Sequence, residues 1–331
     1  DTYKKGLEFL GMKTEERSEP FEGSSGVIHP LLAESVTQFQ AQAYRELLPS
    51  TGPVRTQVVG AQNEVLVRQS ERVKDYMNYM ITYEMEEYDP EMDQMLFYLP
   101  VIGSTFKKVY FDPLKGRAVS RFIAAEDVIV PYGASDLVSS PRITHRLTMD
   151  SNDIRKLQLV GFYKDIDLPD LSSYGEASMG EIEESIDDIQ GVHPSGQSEE
   201  VTLYEVHTSL DIEGFEDIGA DGEPTGLRLP YIVTIVADSG DVLSVRRNYD
   251  PMDPMKRAKQ YFVHYKFLPG LGFYGLGLTH MIGGLAQAST SILRQLIDAG
   301  TLSNLPAGFK ARGARIRDED SPLQPGEFRD I

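Results

Sequence analysis

PGLGFYGLGLTHMIGGLAQASTSILRQLIDAGTLSNLPA, residues 269–307, places a glycine-punctuated turn directly before one long helix rich in small residues. From Thr279, the expected N-cap, Met281, Leu285, Ala288, Ile292, Leu296 and Ala299 recur at spacings of three and four, which predicts one buried apolar stripe. His280, Gln287, Ser291, Arg294 and Asp298 fall on another face. About twenty residues rising about 1.5 Å each make a rod of roughly 30 Å, long enough to span a bilayer or to wall a channel. Gln287, Arg294, Asp298 and the pair Gly283-Gly284 argue against lipid, because a charge is costly at bilayer depth. Periodicity leaves an ordinary amphipathic core helix open as the alternative.

Around this segment, 331 residues suffice for a sizeable core and suggest two or three structural units. Asp1 in place of Met and the abrupt end at Asp330-Ile331 lead to the expectation of a fragment of a longer protein, and no signal peptide or transmembrane run is visible. The chain has no cysteine and no tryptophan, which excludes disulfides, thiolate zinc sites and cysteine nucleophiles. A formal net charge of -19 repels a phosphate backbone at long range and argues against tight DNA or RNA binding by the whole surface. Residues 165–227 hold eighteen Asp or Glu and no Lys or Arg, so this window carries nearly the whole excess. The opposite bias appears at Lys310, Arg312, Arg315 and Arg317. Either charge run taken alone reads as a solvated face.

Along the chain, Leu32, Val36, Phe39, Ala43 and Leu47 keep helical spacing after His29-Pro30, and Pro49 stops them. A second helix is predicted over 64–88, with Val73, Tyr76, Met77, Met80 and Ile81 as its apolar face and Asp89-Pro90 as its break, before a shorter helix ending near Pro100. Strands are predicted at 105–111, 117–124, 127–131 and 142–148, and a helix capped by Asp150 or Ser151 runs to about 160. The acidic window holds one short helix, 179–189, within an exposed excursion. Strands return at 201–212, 231–237, 242–247 and 261–267, with Asp238-Ser239-Gly240-Asp241 as a hairpin turn. The fold class is therefore α+β, with a β-rich insertion flanked by helical sequence and no internal repeat.

Gly270-Leu271-Gly272-Phe273-Tyr274-Gly275 matches G-x-G-x-x-G between a strand and a helix, the context of a dinucleotide site. Pro269 precedes the turn, no second βαβ unit follows, and Phe273-Tyr274 are bulky where a pyrophosphate needs close backbone approach. Gly270, Gly272, Gly275 and Gly277 read better as a hinge before the long helix. His29, His145, His193, His207, His264 and His280 show no metal-ligand spacing, and Gly23-Ser24-Ser25-Gly26 lacks the G-x-S-x-G elbow. The carboxylates of the acidic window lack the apolar setting that acid/base roles need. No enzyme and no cofactor or metal site is expected.

The order of features resembles a tailed-bacteriophage portal protein: an α+β part, an acidic excursion, a β-rich insertion, an aromatic-glycine turn, the small-residue helix and a basic loop. The residues carrying the resemblance are YFVHYKFLP at 261–269, Gly272-Phe273-Tyr274-Gly275, and the helix 277–299 around Ser291-Ile292-Leu293-Arg294-Gln295-Leu296, with weaker matches at Tyr3-Lys4-Lys5-Gly6-Leu7 and His29-Pro30-Leu31-Leu32. The likeness extends across most of the chain as a string of individually weak matches. It implies a virion ring, usually of twelve subunits, assembled in the host cytoplasm at one capsid vertex. Its partners would be further copies of itself, the major capsid protein, terminase, tail adaptors and non-specifically passing double-stranded DNA, with no membrane. It also implies a portal-like division: an α+β wing at 1–164, an acidic excursion or first stem region at 165–200, a β-rich clip at 201–270, a second stem helix at 271–305, and the start of a channel loop at 306–331. The acidic stretch matches a long first stem helix poorly, and no tunnel helix or crown follows. On this mapping Gln287, Ser291 and Arg294 face the channel with Lys310, Arg312, Arg315 and Arg317 near its loop. Tyr231, Arg246 and Arg247 on the clip hairpin meet an adaptor or terminase. Another virion connector and a nucleotide-binding enzyme using the glycine loop are the rival readings.

Overall fold

The computed structural model describes residues 2–12, 16–19, 21, 23–168, 181–191, 200–219 and 221–304. Its helices are α1 (Thr2–Phe9), α2 (Leu31–Leu47), α3 (Glu64–Tyr79), α4 (Tyr88–Ile102), α5 (Ser151–Leu159), α6 (Glu181–Gln190) and α7 (Leu278–Asn304). Its strands are β1 (Ser104–Asp112), β2 (Arg117–Ile123), β3 (Val128–Ile129), β4 (Arg142–Asp150), β5 (Glu200–Leu210), β6 (Leu229–Val236), β7 (Val242–Arg247) and β8 (Phe262–Lys266). The strands form two antiparallel sheets, ordered β2-β1-β8 and β3-β4-β5-β6-β7, so the chain is α+β.

The sheets correct the division of the chain at residue 164. β4 pairs with β5 along its whole length, from Arg142↔Thr208 to Asp150↔Glu200, and β1 pairs with β8. Segments 1–164 and 201–270 therefore share both sheets and do not fold apart. The resemblance placed that boundary, and strand pairing, which is set by complementary edges, runs across it. On β5, Val201, Leu203, Glu205 and His207 alternate inward, and Val201 and Leu203 join Ile154, Leu157, Val236 and Leu243 in one core. The acidic helix α6 lies within the excursion as expected, and its Ile182, Ile186 and Ile189 pack against the cluster of Leu7, Leu10 and Val101.

α2 and α4 form the layer beneath the three-stranded sheet. Leu32 and Val36 of α2 are fully buried, whereas Leu47, expected on the same stripe, is exposed. α4 buries Met92, Met95, Leu96 and Leu99 and stops at Gly103, whose φ of +94° lets its N–H reach the Leu99 carbonyl. Asp89-Pro90 does not break a helix but opens one, since in the first turn of α4 the missing proline N–H has no bond to lose. The break falls earlier, at Met85, after a π-helical turn over Met80–Glu84. α3 buries no residue at all, so its expected apolar face, with Val73, Tyr76 and Met77, looks into solvent.

Candidate functional site

The glycine loop closes on itself. Leu268 and Leu276 exchange backbone hydrogen bonds, the Gly275 N–H donates to Ser104 Oγ at 2.7 Å, and the Gly277 N–H donates to His280 Nδ1 at 3.1 Å. Three successive amides, at 275–277, are thereby engaged inside the protein and not offered to a phosphate. Phe273 is buried against Phe106 and His264. A Cβ at Gly275 would lie 2.4 Å from the Gly103 carbonyl oxygen, and one at Gly277 would lie 2.7 Å from the Gly103 nitrogen. Gly275 and Gly277 thus cross the end of α4 at backbone contact, a packed crossing where a hinge was expected. Gly272 has open space around it, and Gly270 faces the Leu276 side chain.

α7 is turned the opposite way from its predicted phase. Met281, Leu285, Ile292 and Leu296 are 57%, 60%, 67% and 69% exposed, so the apolar stripe is the outer face. The inner face carries Thr279, Gly283, Ala286 and Asp298, all buried. Thr279 is not the N-cap: its hydroxyl donates to the Val101 carbonyl at 2.8 Å. Gly283 abuts the Phe9 ring, where a Cβ would sit 3.1 Å away. Further along, Thr290 Oγ1 accepts the His29 N–H at 3.0 Å, Arg294 Nε donates to the Val27 carbonyl at 2.7 Å, and Asp298 Oδ1 accepts the Ser25 N–H at 2.7 Å. Extended backbone at 25–29 lacks a partner strand, and these side chains supply its hydrogen bonds. Period alone reports that a stripe exists, not which side of the helix meets the body.

Of the expected channel residues, Arg294 is therefore a clamp on 25–29, while Gln287 and Ser291 are exposed beside the apolar stripe. Lys310, Arg312, Arg315 and Arg317 lie outside the described residues. The hairpin β6–β7 forms as expected, with Gly240 in its turn at φ +74°. Its proposed contact residues diverge: Arg247 is exposed, Tyr231 is buried edge-on to Tyr249, and Arg246 stacks over Phe162 at 4.3 Å.

Arg246 points toward a groove of about 1090 Å³ where the two sheets meet. Its floor is a buried charge cluster that spans them: Glu205 Oε1 lies 2.8 Å from Lys108 Nζ and 2.6 Å from His207 Nε2, with Arg246 3.9 Å from the other carboxylate oxygen. Burial alone would raise the Glu205 pKa, but the charges of Lys108 and His207 outweigh it and hold the carboxylate ionised. Residue-by-residue reading missed this cluster, although inward alternation of V-T-L-Y-E-V-H along β5 puts Glu205 and His207 on the face of Val201 and Leu203. Lys108 is visible only through the fold, since β1 is distant in sequence. Among the described residues, no group of three or more His, Asp or Glu is arranged to hold a metal ion, and no helix is long and apolar enough to cross a membrane.

No family model matches the chain, and no curated protein matches it. The reading of function rests on the sequence and on this geometry.

Two histidines contribute to the acid response of the fold. Burial lowers His145 to about 3, with Lys108 adding repulsion, and burial lowers His264 to about 4. Both are neutral in the fold at pH 7, while in the unfolded chain they take up protons near pH 6.5. The unfolded state then binds more protons below pH 6.5, so stability is intact above that value and falls as the pH drops toward 4. Each histidine contributes up to about 1.4 kcal/mol per pH unit in that window. Urea titrations at pH 7.5 and 4.5 are expected to show a lower midpoint at 4.5, with a smaller drop for His145→Gln.

Proposed function

We propose that the chain is a subunit of a portal ring of the tailed-bacteriophage type, sited at one capsid vertex, through which double-stranded DNA is packaged and ejected. One observation carries the reading. The apolar stripe on the outer face of α7, from Met281 to Leu296, is about 23 Å long at about 1.5 Å per residue, exposes four large apolar side chains and presents no charge, because Arg294 and Asp298 are both engaged with 25–29. A row of exposed large apolar side chains marks a candidate interaction face. Fully burying a side chain of this size is worth about 1.5–3 kcal/mol, and small residues such as Gly284 and Ala288 between the large ones permit a close helix approach.

A ring built by repeated head-to-tail contact would cover that face on every copy. The net charge of -19 suits a conduit, since a largely acidic protein offers few phosphate contacts that would hold DNA in place. On this reading α7 is the second stem helix, and Arg247 at the edge of the β6–β7 hairpin stands where a terminase or tail adaptor would dock. The capsid shell and further copies of the chain are the remaining partners. In the rival nucleotide-binding reading, a phosphate would have to be held by the loop at 270–274, since the amides of Gly275 and Gly277 are bonded within the protein.

The test is the native mass of the full-length protein, with negative-stain images. Twelve copies of the 37.0 kDa chain weigh about 0.44 MDa, and rings with a central pore near or above that mass are expected. Ile292→Glu should abolish the ring while leaving the circular dichroism spectrum unchanged, because Ile292 touches little within its own subunit. A pore-free monomer of the unaltered protein would refute the portal reading.

A further inference from the structure

α3 is a second helix without a home. Over 16 residues it buries none, and it is tied to its own subunit chiefly by Asn78, which exchanges hydrogen bonds with the backbone of Val54, and by Thr56, which donates to the Ser70 carbonyl. Isolated helices of about 12–15 residues are marginal in water, and helices in proteins draw most of their stability from packing an apolar face. α3 has such a face: Val65, Val73, Tyr76 and Met77 are all exposed, and Tyr83 in the following π-helical turn is 74% exposed and stacked on Tyr79.

We propose that, in the assembled ring, this face of α3 lies along the outer stripe of α7 in the next copy. The inference rests on the ring reading above and specifies its contact. A ring needs two different, complementary patches on each subunit, one for each neighbour, and among the described residues these two helices leave long apolar faces open. A two-fold contact of α7 on α7 would stop at a dimer and leave α3 bare, whereas α3 on α7 covers both with one repeated contact. The surfaces match in character. α7 alternates large side chains with Gly284, Ala288 and Ser291, which leave hollows, and α3 offers bulky Tyr76, Met77 and Tyr83 to fill them. The charges on α3, including the Arg68–Glu64 pair, meet no charge on the α7 stripe, so no like-charge repulsion opposes the contact. The lengths are comparable, since Glu64 to Glu84 spans roughly 30 Å against the roughly 23 Å of the α7 stripe from Met281 to Leu296. A band about 10 Å wide over that length supplies roughly 230–300 Å² per partner, about a third of a standard interface.

Residues 1–331 contain no cysteine, so once any cysteine elsewhere in the full-length protein is replaced by serine, engineered pairs report without background. In the full-length protein, Val73→Cys or Met77→Cys would be combined with Leu285→Cys or Ile292→Cys, and the assembled material treated with a short bismaleimide. At least one pair is expected to give a covalent ladder extending to the full ring, and no single variant should cross-link. A dimer from Ile292→Cys alone would place α7 against α7 and overturn the pairing. A ring by native mass with no ladder from any of the four pairs would overturn it while leaving the ring reading standing. Absence of a ring in the unaltered protein would remove both.

Discussion

Gly275→Ala is expected to prevent stable folding, while Gly272→Ala, three residues earlier in the same glycine loop, is expected to be neutral. The added methyl at 275 would meet the Gly103 carbonyl oxygen at 2.4 Å, the Lys266 Cβ at 3.0 Å and the Leu268 carbonyl oxygen at 3.1 Å. Two of the three obstacles are backbone, held by the Phe267-to-Gly103 and Leu268–Leu276 hydrogen bonds, so the collision cannot be relieved by a rotamer change. Moving the α7 entry away would also break the bond from Gly275 to Ser104 and disturb the Phe273 packing. A cost of at least about 3 kcal/mol follows, at the upper end of overpacking penalties, and marginal stability turns that into loss of soluble protein. At Gly272 nothing lies within 4 Å of the added atom. Soluble yield and guanidinium midpoints of the two variants separate a packed crossing from a hinge: comparable, mild effects at both positions would show that the crossing is loose.

Glu205→Gln should cost about 3–5 kcal/mol, the range for stranding a buried charge by removing its partner. Lys108 is 8% exposed in its side chain, and Glu205 is its ion-pair partner at 2.8 Å. The same substitution removes the carboxylate from His207 and from Arg246, so one change disturbs all three partners of Glu205 across the sheet junction. Lys108→Met should be milder, because Glu205 keeps His207 at 2.6 Å and Arg246 nearby. The double variant Lys108→Met/Glu205→Gln should fall well short of the sum of the singles, since the ammonium stranded by loss of the carboxylate is no longer there. Urea unfolding of the set measures this coupling, and strict additivity would mean that the two groups do not interact across the sheets.

How much of this was legible in the residues differs from element to element. Alternation in V-T-L-Y-E-V-H marked β5, the Asp-Ser-Gly-Asp turn marked the β6–β7 hairpin, and the spacing of Leu32, Val36, Phe39 and Ala43 marked α2 together with its buried side. These signals are local: period and turn chemistry act within a few residues, and the fold respected them. The pairing of β4 with β5 across the acidic window was not legible, because strand partnership is set by complementary edges distant in sequence. Nor was the Lys108–Glu205 contact, whose partners reach each other only once two sheets meet.

For α7, the amino-acid order by itself determined that a long helix follows a glycine turn and that its large apolar residues share one stripe. Only the tertiary structure decided which way that stripe faces. Thr279, Arg294 and Asp298 find backbone partners in Val101, Val27 and Ser25, and Gly283 and Ala286 allow close packing, so the small and polar side turns inward. The large residues are left outside because helical periodicity carries phase but no direction, and direction comes from whichever face the rest of the chain can satisfy.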